Sequence, residues 1–375
     1  MRNKLRVATV FSGIGAPEQA LKRLNIDFET VFACDNGEVE IDYDLERERA
    51  IVEKLSGPVE KKRYVDNLYA LKTRRTNFVK ISYLANYKMN EDYYFQDIRL
   101  LDGKDFQGKV DLLVGGSPCQ SFSTVGFQGG LDDTRGTLFY DYANLIKDIK
   151  PKVFIYENVR GLYTHDKGKT WTIIKSVFKE LGYDFKYDVL NAADYGIPQT
   201  RRRLFVVGIR KDINLIKSLH FPPDPIELKY SDMHDFLLSN VKFGNFYSID
   251  GRIHIKKEPG YVDPKYILTP KLKAYVMKEG TKSFHQKVEI DKPIARTILK
   301  TMGNRHRAGI DNYVTDIGPI RMLTEREALR LMGFPDDFKQ VVSRAQGYKQ
   351  AGNSIVVDVL IAIYKEIFKT GVFDN

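Results

Sequence analysis

The chain has 375 residues, of which 43% are hydrophobic and 29% charged, with a formal net charge of +10. This is the composition of a folded globular protein, and no apolar run is long enough to span a bilayer. The positive charge favours a polyanionic partner, because contacts between basic side chains and phosphates release counterions. Cys34 and Cys119 are the two cysteines, so the sequence predicts neither a disulfide framework nor a metal site.

Short apolar segments alternate with amphipathic ones through the first 210 residues. The first apolar run is interpreted as a strand and not as a targeting segment, because it is short and a glycine turn interrupts it. The predicted strands are residues 6–11, 30–34, 111–114, 153–156, 188–191 and 203–209, and the predicted helices are residues 17–24, 138–147 and 170–181. Strands that alternate with helices imply a doubly wound α/β sheet.

Residues 45–90 are rich in Lys, Arg, Glu and Tyr and contain helical patches such as residues 46–55. We interpret them as a helical insertion with a solvated, charged surface. A second interpretation is that Arg74, Arg75 and Lys80 contact a nucleic-acid backbone.

The composition changes after about residue 210, where a proline-rich stretch resembles a linker. An amphipathic helical pattern returns at residues 324–334 and 354–368. We therefore predict a discontinuous first domain, residues 1–210 plus 314–375, and a smaller second domain at residues 211–313.

Four residues of chemical interest each follow a predicted strand, namely Gly13, Asp35, Cys119 and Glu157. Ligands of doubly wound sheets bind at the carboxyl ends of the strands, so the sequence predicts one site at that edge. Residues 11–15 (Phe-Ser-Gly-Ile-Gly) would let the backbone approach a ligand closely, and Asp35 would hold ribose hydroxyls. These features indicate a nucleoside-bearing cofactor but do not separate a nicotinamide cofactor from S-adenosylmethionine.

Cys119 follows Ser117 and Pro118 on a rigid turn, which favours a thiol presented to the ligand edge over a packed one. Cysteine is a useful nucleophile only as the thiolate, which needs a polar or electropositive setting. The arginines at 201–203 would supply that setting if the fold brings them near. Cys34, between Ala33 and Asp35, has the surroundings of a structural cysteine.

Several short motifs follow one another along the chain. They are residues 11–15, 117–120 (Ser-Pro-Cys-Gln), 134–139 (Thr-Arg-Gly-Thr-Leu-Phe), 157–159 (Glu-Asn-Val), 199–203 (Gln-Thr-Arg-Arg-Arg), 321–327 (Arg-Met-Leu-Thr-Glu-Arg-Glu) and 352–354 (Gly-Asn-Ser). In this order and spacing the series resembles the C5-cytosine DNA methyltransferases from end to end. The resemblance implies a Rossmann-like domain dependent on S-adenosylmethionine and a smaller target-recognition domain, with a DNA cleft between them.

The resemblance also implies a reaction. A methyl group would pass from S-adenosylmethionine, leaving S-adenosylhomocysteine, to carbon 5 of a cytosine flipped out of a short specific sequence of double-stranded DNA. Cys119 would add to carbon 6 of the ring, and Glu157 would hydrogen-bond at N3. Arg203 would orient Glu157, with Arg201 on the same face of an extended segment. The base that removes the carbon 5 proton is not identified by the sequence.

The same resemblance assigns binding residues. The expected cofactor contacts are Phe11, Gly13, Gly15, Asp35, Asn36, Asp97, Ile98, Gly116, Pro118, Leu138, Asn353 and Ser354. The expected contacts to DNA or to the flipped base are Gln120, Ser123, Arg135, Asn158, Thr297 and Arg305, with Arg296, His306 and Arg307 as further candidates.

Three other interpretations stay open. One is an RNA cytosine methyltransferase of the same fold, the second is a catalytically silent DNA-binding relative, and the third is a nicotinamide oxidoreductase. Cys119 and Glu157 together disfavour the last two. We expect a cytoplasmic monomer of bacterial or phage origin that associates with the nucleoid through DNA and not with membranes. A restriction endonuclease acting on the same site is a candidate partner.

Overall fold

A computed structural model of the chain describes residues 4–118, 138–227, 229–281, 284–285, 287–303 and 309–374. The described chain is built around a seven-stranded sheet. Its strands are β1 (Leu5–Val10), β2 (Phe28–Cys34), β3 (Tyr94–Phe95), β4 (Leu112–Gly115), β5 (Val153–Val159), β6 (Tyr183–Asn191) and β7 (Arg202–Arg210). The prediction of a doubly wound α/β fold is confirmed.

The strand order in the sheet is β3-β2-β1-β4-β5-β7-β6. The strands from β3 to β5 are parallel, whereas β7 runs antiparallel to both β5 and β6. From β1 the chain moves outward to β2 and β3 and then crosses back to β4 on the other side of β1. The neighbours β1 and β4 therefore form a topological switch point, where a crevice opens at the carboxyl ends of the strands.

Helices and small sheets complete the described chain. The helices are α1 (Ala16–Arg23), α2 (Leu45–Val52), α3 (Gly57–Lys72), α4 (Phe78–Asn86), α5 (Leu138–Ile149), α6 (Gly161–Thr164), α7 (Lys169–Glu180), α8 (Pro270–Val276), α9 (Glu325–Arg330), α10 (Arg344–Asn353) and α11 (Val357–Lys369). The two-stranded sheets pair β8 (Phe246–Ile249) with β9 (Arg252–Ile255), β10 (Gly280–Thr281) with β11 (Phe284–His285), and β12 (Tyr313–Val314) with β13 (Arg321–Met322).

Local sequence signals explain several helix ends. Thr324 and Glu327 form a reciprocal capping box at the start of α9. The predicted helix over 324–334 is shorter in the structure, because the chain turns through Gly333 with φ of +84° soon after Arg330. The predicted helix over 354–368 begins later, since Ser354 is the C-cap of α10.

The sheet separates two hydrophobic layers. Alternate residues of β5 face opposite sides, with Val153 and Ile155 in one cluster and Phe154 and Tyr156 in the other. Helices α1, α9 and α11 cover the first side, and α5 and α7 cover the second. No helix in the described ranges is long and apolar enough to cross a membrane.

The region 211–313 packs against the same core. Its buried residues, such as Phe236 and Phe246, belong to the cluster that includes α11. Arg23 of α1 donates to the carbonyl of Gly251 at 3.1 Å and pairs with Asp358 of α11 at 2.7 Å. The segment predicted to be a helical insertion contains α2, α3 and α4. The division into two domains stays a prediction.

Candidate active site

The carboxyl ends of the parallel strands bring together segments that are distant in the sequence. The glycine loop, residues 11–15, follows β1, and Asp35 follows β2. Asp97 comes two residues after β3, and residues 116–118 follow β4 directly. Of these, Gly13 and Asp35 were predicted to lie at one edge of the sheet, and the parallel pairing of β1 to β4 places them there together with Asp97 and residues 116–118.

The predicted strand over 153–156 implied that Glu157 lies just beyond the strand end. In the structure, Glu157 lies inside β5. Parallel pairing with β4 stops at Tyr156 opposite Gly115. Antiparallel pairing with β7 continues to Val159 opposite Arg203. Glu157 is therefore held by β7 on one side, while its other side faces the chain that leaves β4.

Gly116 makes that arrangement possible. A Cβ atom at this position would lie 2.5 Å from the carbonyl oxygen of Glu157 and 3.1 Å from its Oε2. Only glycine allows such a close approach of the β4 end to β5. The predicted cofactor contact at Gly116 is thus also a steric requirement for placing Glu157.

Arg203 is the charged neighbour of Glu157, as the sequence predicted. Its Nε lies 3.3 Å from Oε1 of Glu157, and the two side chains are only 20% and 15% exposed. Burial raises the pKa of Glu157, and the positive charges of Arg203 and Arg201 oppose that rise. The carboxyl group therefore holds a proton more readily than an exposed glutamate does.

Arg201, to which the resemblance implied a catalytic role, makes hydrogen bonds to buried main-chain carbonyls. Its buried guanidinium donates to the carbonyls of Ile298 and Gly352, both at 3.0 Å, and of Ser354 at 2.8 Å. Burial lowers the pKa of Arg201 to about 9, which still leaves it charged at neutral pH. The sequence did not indicate these partners, which join the segment before β7 to residues 298, 352 and 354.

Asn158 was predicted to contact DNA or the flipped base, yet it is buried and only 3% exposed. Its Nδ2 donates to the carbonyl of Ser117 and to the hydroxyl of Tyr156, both at 2.8 Å. The amide therefore fixes the chain after β4 through these internal partners, and the contact of Asn158 with DNA or the base stays a prediction.

The glycine loop is pinned to β2. Ser12 Oγ accepts from the backbone N–H of Cys34 at 3.1 Å. The Cys34 thiol is free and buried, and burial raises its pKa well above the ordinary value, in keeping with a structural cysteine. Gly15 has φ of +78°, and a Cβ there would lie 2.2 Å from the ring of Tyr87. Phe11, also at positive φ, packs against the core cluster on one side of the sheet.

Asp35 holds two backbone segments together at the carboxyl ends of β1 and β2. Its two carboxylate oxygens each accept a backbone N–H at 2.8 Å, from Gly13 and from Gly37. Burial raises the pKa of Asp35. Gly13 has φ of +52°, and among the described residues other than its chain neighbours no atom lies within 4 Å of the position that a Cβ would take. An open cradle of backbone beside an acceptor-rich carboxylate fits a nucleoside-bearing cofactor.

The Asp97 carboxylate has partners that the sequence did not indicate. It accepts from the hydroxyls of Tyr43 at 2.6 Å and Tyr69 at 3.0 Å, and from the Arg99 guanidinium at 2.7 Å. Tyr69 comes from the insertion and Tyr43 from just before it, so the insertion contributes to the shape of the crevice. The tyrosine-rich composition of that insertion was the one signal available. Ile98 next to Asp97 is buried.

The motif at 352–354 closes the site from the C-terminal end. A Cβ on Gly352 would lie 2.1 Å from the backbone nitrogen of Lys300, so glycine is needed here. Asn353 Nδ2 donates to Glu38 at 2.8 Å, and Glu38 also pairs with Lys300 and Lys349. Although burial opposes it, hydrogen bonds from the two lysines lower the pKa of Glu38 to about 2. Glu38 was not predicted.

Four more of the predicted binding positions lie within the described residues. Leu138 is the first residue of α5 and is half-buried, and Pro118 is exposed. Asn36 donates to Glu40 at 3.0 Å. Thr297 Oγ1 donates to the carbonyl of Thr200 at 2.6 Å, beside Arg201.

Residues 69–369 match the family model of C-5 cytosine-specific DNA methylases. The type II methyltransferase M.SsoII of Shigella sonnei is 37% identical over 295 residues, covering 78% of this chain and 72% of that protein. M.HhaI of Haemophilus parahaemolyticus is 37% identical over 252 residues, covering 67% and 73%. The chain belongs to the C-5 cytosine-specific DNA methylase family. As a member, it is a DNA cytosine-5 methyltransferase that uses S-adenosylmethionine.

Solved structures agree on the fold of this DNA methylase. The S. pombe Dnmt2 methyltransferase covers 97% of this chain and 98% of its own, with a TM-score of 0.64 at 18% identity. A putative DNA modification methyltransferase encoded within an E. coli prophage gives a TM-score of 0.59 at 20% identity, covering 98% and 99%.

Several predicted residues of the methylase lie outside the described ranges. They are Cys119, Gln120, Ser123, Arg135, Arg305, His306 and Arg307. Arg296, which is described, donates to the carbonyl of Glu289 at 2.9 Å.

Replacing Gly116 with alanine tests the approach of the β4 end to Glu157. We expect Gly116→Ala to lower kcat by about 10²-fold, because displacing a reacting group by about 1 Å has that effect. Gly161→Ala is the matched control, since no atom lies within 4 Å of a Cβ at that position. Steady-state methyl transfer measures both. A Gly116→Ala enzyme as active as the wild type would contradict the steric argument.

The roles of Arg201 and Arg203 in the 199–203 motif are separable. Arg201→Leu should lower the free energy of unfolding by about 1–3 kcal/mol for each carbonyl left buried without a donor. Arg203→Leu should leave unfolding nearly unchanged and lower kcat, because it removes the charge beside Glu157. Urea unfolding together with kcat resolves the two effects. Equal destabilisation by both substitutions would refute the separation.

Proposed function

We propose that Cys119 is the nucleophile and that Glu157 is the acid of the methyl transfer. One observation carries the assignment of Glu157: a half-buried carboxyl group lies against Gly116 at the end of β4 and 3.3 Å from Arg203. From Gly116 the chain leads through Ser117 and Pro118 to Cys119. A nucleophile on the segment after β4 and an acid on the neighbouring strand β5 fit addition to carbon 6 and protonation at N3 of one pyrimidine ring.

Carbon 5 of cytosine is not nucleophilic enough to accept a methyl group unaided. Carbon 5 becomes nucleophilic when the Cys119 thiolate adds to carbon 6 and the electron pair displaced toward N3 is neutralised there. Glu157 supplies the proton or hydrogen bond at N3, and its raised pKa supports that role. Arg203 holds the Glu157 carboxyl in place. Loss of the carbon 5 proton and departure of Cys119 then restore the aromatic ring.

S-adenosylmethionine would supply an electrophilic methyl group from a sulfonium at the carboxyl ends of β1 and β4. We propose that the backbone of residues 11–15 and Asp35 bind its methionine and ribose parts. Residues Asp97 and Ile98 would lie at the adenine, and Asn353 would close the pocket. The open space at Gly13 and the acceptors of Asp35 support this placement.

The substrate would be a short specific sequence in double-stranded DNA. We propose residues 211–313 as the target-recognition domain, with Thr297 and Arg305 at the DNA side. The type II relatives suggest a restriction endonuclease as a partner that acts on the same site. A monomer in the cytoplasm, associated with the nucleoid through DNA, completes the proposal.

Trapping the covalent adduct tests the nucleophile. DNA containing 5-fluorocytosine blocks the final proton removal, so wild-type enzyme and S-adenosylmethionine should form an adduct that survives denaturation. Cys119→Ser should form none, and Cys34→Ser, the control, should form as much as the wild type. An adduct retained by Cys119→Ser would overturn the assignment. Sequencing the trapped DNA would identify the target.

The pH dependence of the same reaction tests Glu157. Glu157→Gln should slow adduct formation by about 10²–10⁴-fold, the usual contribution of a general acid. The protonated form of Glu157 is present below its raised pKa and is lost as the pH rises through it. The ratio of wild-type to variant rates should therefore fall with rising pH, and ionisation of Cys119 cancels from that ratio.

A ratio that stays constant with pH would exclude Glu157 as the acid. Folding provides a control in the same experiment. Ionisation of a carboxyl group whose pKa is raised in the folded state destabilises that state as the pH rises above the unfolded value. Glu157→Gln should therefore unfold no more easily than the wild type at neutral pH.

A further inference from the structure

Tyr156 lies next to the proposed acid but points to the other side of the sheet. Its ring is fully buried among aromatic neighbours that include Phe139 at 5.7 Å and Tyr142 at 5.5 Å between ring centroids. Its hydroxyl, however, reaches out of this cluster toward the end of β4. It lies 2.8 Å from Ser117 Oγ and accepts from Asn158 Nδ2 at 2.8 Å.

The three side chains form a closed hydrogen-bonded network. Asn158 Nδ2 donates both to the Tyr156 hydroxyl and to the Ser117 carbonyl, and Asn158 Oδ1 accepts from the backbone N–H of Val159. That last contact fixes which way the amide points. Ser117 and Asn158 are each only 3% exposed. Water therefore cannot easily replace a lost partner, and unpaired groups here would be costly.

We propose that Tyr156 is a positioning residue for methyl transfer. Its hydroxyl fixes the rotamers of Ser117 and Asn158, and through them the backbone of Ser117, which stands two residues before Cys119 in the chain. The same strand, β5, carries Glu157 as the next residue. Tyr156 thus fixes the position of Ser117, from which the chain leads to Cys119, relative to Glu157. The inference rests on the roles proposed above for Cys119 and Glu157.

The chain offers a matched control for this role. Tyr142 belongs to the same aromatic cluster, is equally buried and also uses its hydroxyl, which donates to the carbonyl of Ile155 at 2.9 Å. That acceptor lies within β5, one residue before Tyr156. Removing the Tyr142 hydroxyl therefore deletes a similar buried hydrogen bond without touching the network around Ser117.

The test compares Tyr156→Phe with Tyr142→Phe. The readouts are the single-turnover rate of adduct formation on 5-fluorocytosine DNA, the Kd of S-adenosylmethionine, the KM for DNA and the urea unfolding curve. Tyr156→Phe should slow adduct formation by about ten- to hundredfold, the effect of a small misplacement of a reacting group. Its cofactor Kd and KM should stay within about twofold. Tyr142→Phe should match the wild-type rate even where both variants unfold equally easily.

A Tyr156→Phe rate equal to that of the wild type would overturn the proposal. So would a loss of rate shared equally by Tyr142→Phe, because that pattern belongs to a general loss of packing. Failure of the wild type to form any adduct would instead count against the roles of Cys119 and Glu157. The two failures are thus distinguishable.

A second variant pair tests the network itself. Ser117→Ala removes the partner of the Tyr156 hydroxyl, whereas Ser117→Thr keeps a hydroxyl at the same position. Ser117→Ala should slow adduct formation, and Ser117→Thr should restore part of the rate. In the double variant Ser117→Ala with Tyr156→Phe, the rate should be no lower than in the slower single variant. Additive losses would show that the two residues act independently and would refute the network.

Discussion

One buried guanidinium joins three parts of the chain that are distant in sequence. Arg201, at the start of the segment that becomes β7, donates to the carbonyls of Ile298, Gly352 and Ser354. Each carbonyl belongs to a buried residue, where the loss of a donor is costly. Since β7 holds Glu157 through antiparallel pairing, the same contact links the position of the proposed acid to the closing motif of the cofactor crevice.

The pKa of Glu157 reflects a balance between two opposing effects. Burial disfavours the carboxylate, whereas the nearby charges of Arg203 and Arg201 favour it, and burial has the larger effect. A carboxyl group with a raised pKa can donate a proton to N3 of the cytosine, and its ionised form can still pair with Arg203. The charge of Arg201 opposes the rise in the pKa of Glu157, and its hydrogen bonds stabilise the fold. One buried charge therefore affects both the stability of the protein and the pKa of the proposed acid.

The sequence was informative wherever local pattern decides the structure, and silent where distant packing does. Gly13 and Asp35 lie at strand ends because short apolar runs followed by turns define those ends. Glu157 lies inside β5 because β7 extends the pairing, which no local pattern predicts. For the same reason the hydroxyls of Tyr43 and Tyr69 on Asp97 were not foreseen, since both residues are distant from Asp97 in the sequence and meet it only in three dimensions.

The alternation of side chains along β5 explains how two distinct tasks can share one strand. Tyr156 and Asn158 hydrogen-bond to Ser117, while Glu157 between them points to the opposite side of β5, where its Oε2 lies against Gly116. A shift of β5 as a rigid unit would therefore move Glu157 together with Tyr156 and Asn158, which hold Ser117. Their separation is then controlled mainly by how closely the backbones approach at Gly116. A side chain at that position would displace both the backbone and the carboxyl group of Glu157, which is why the glycine matters more than its size suggests.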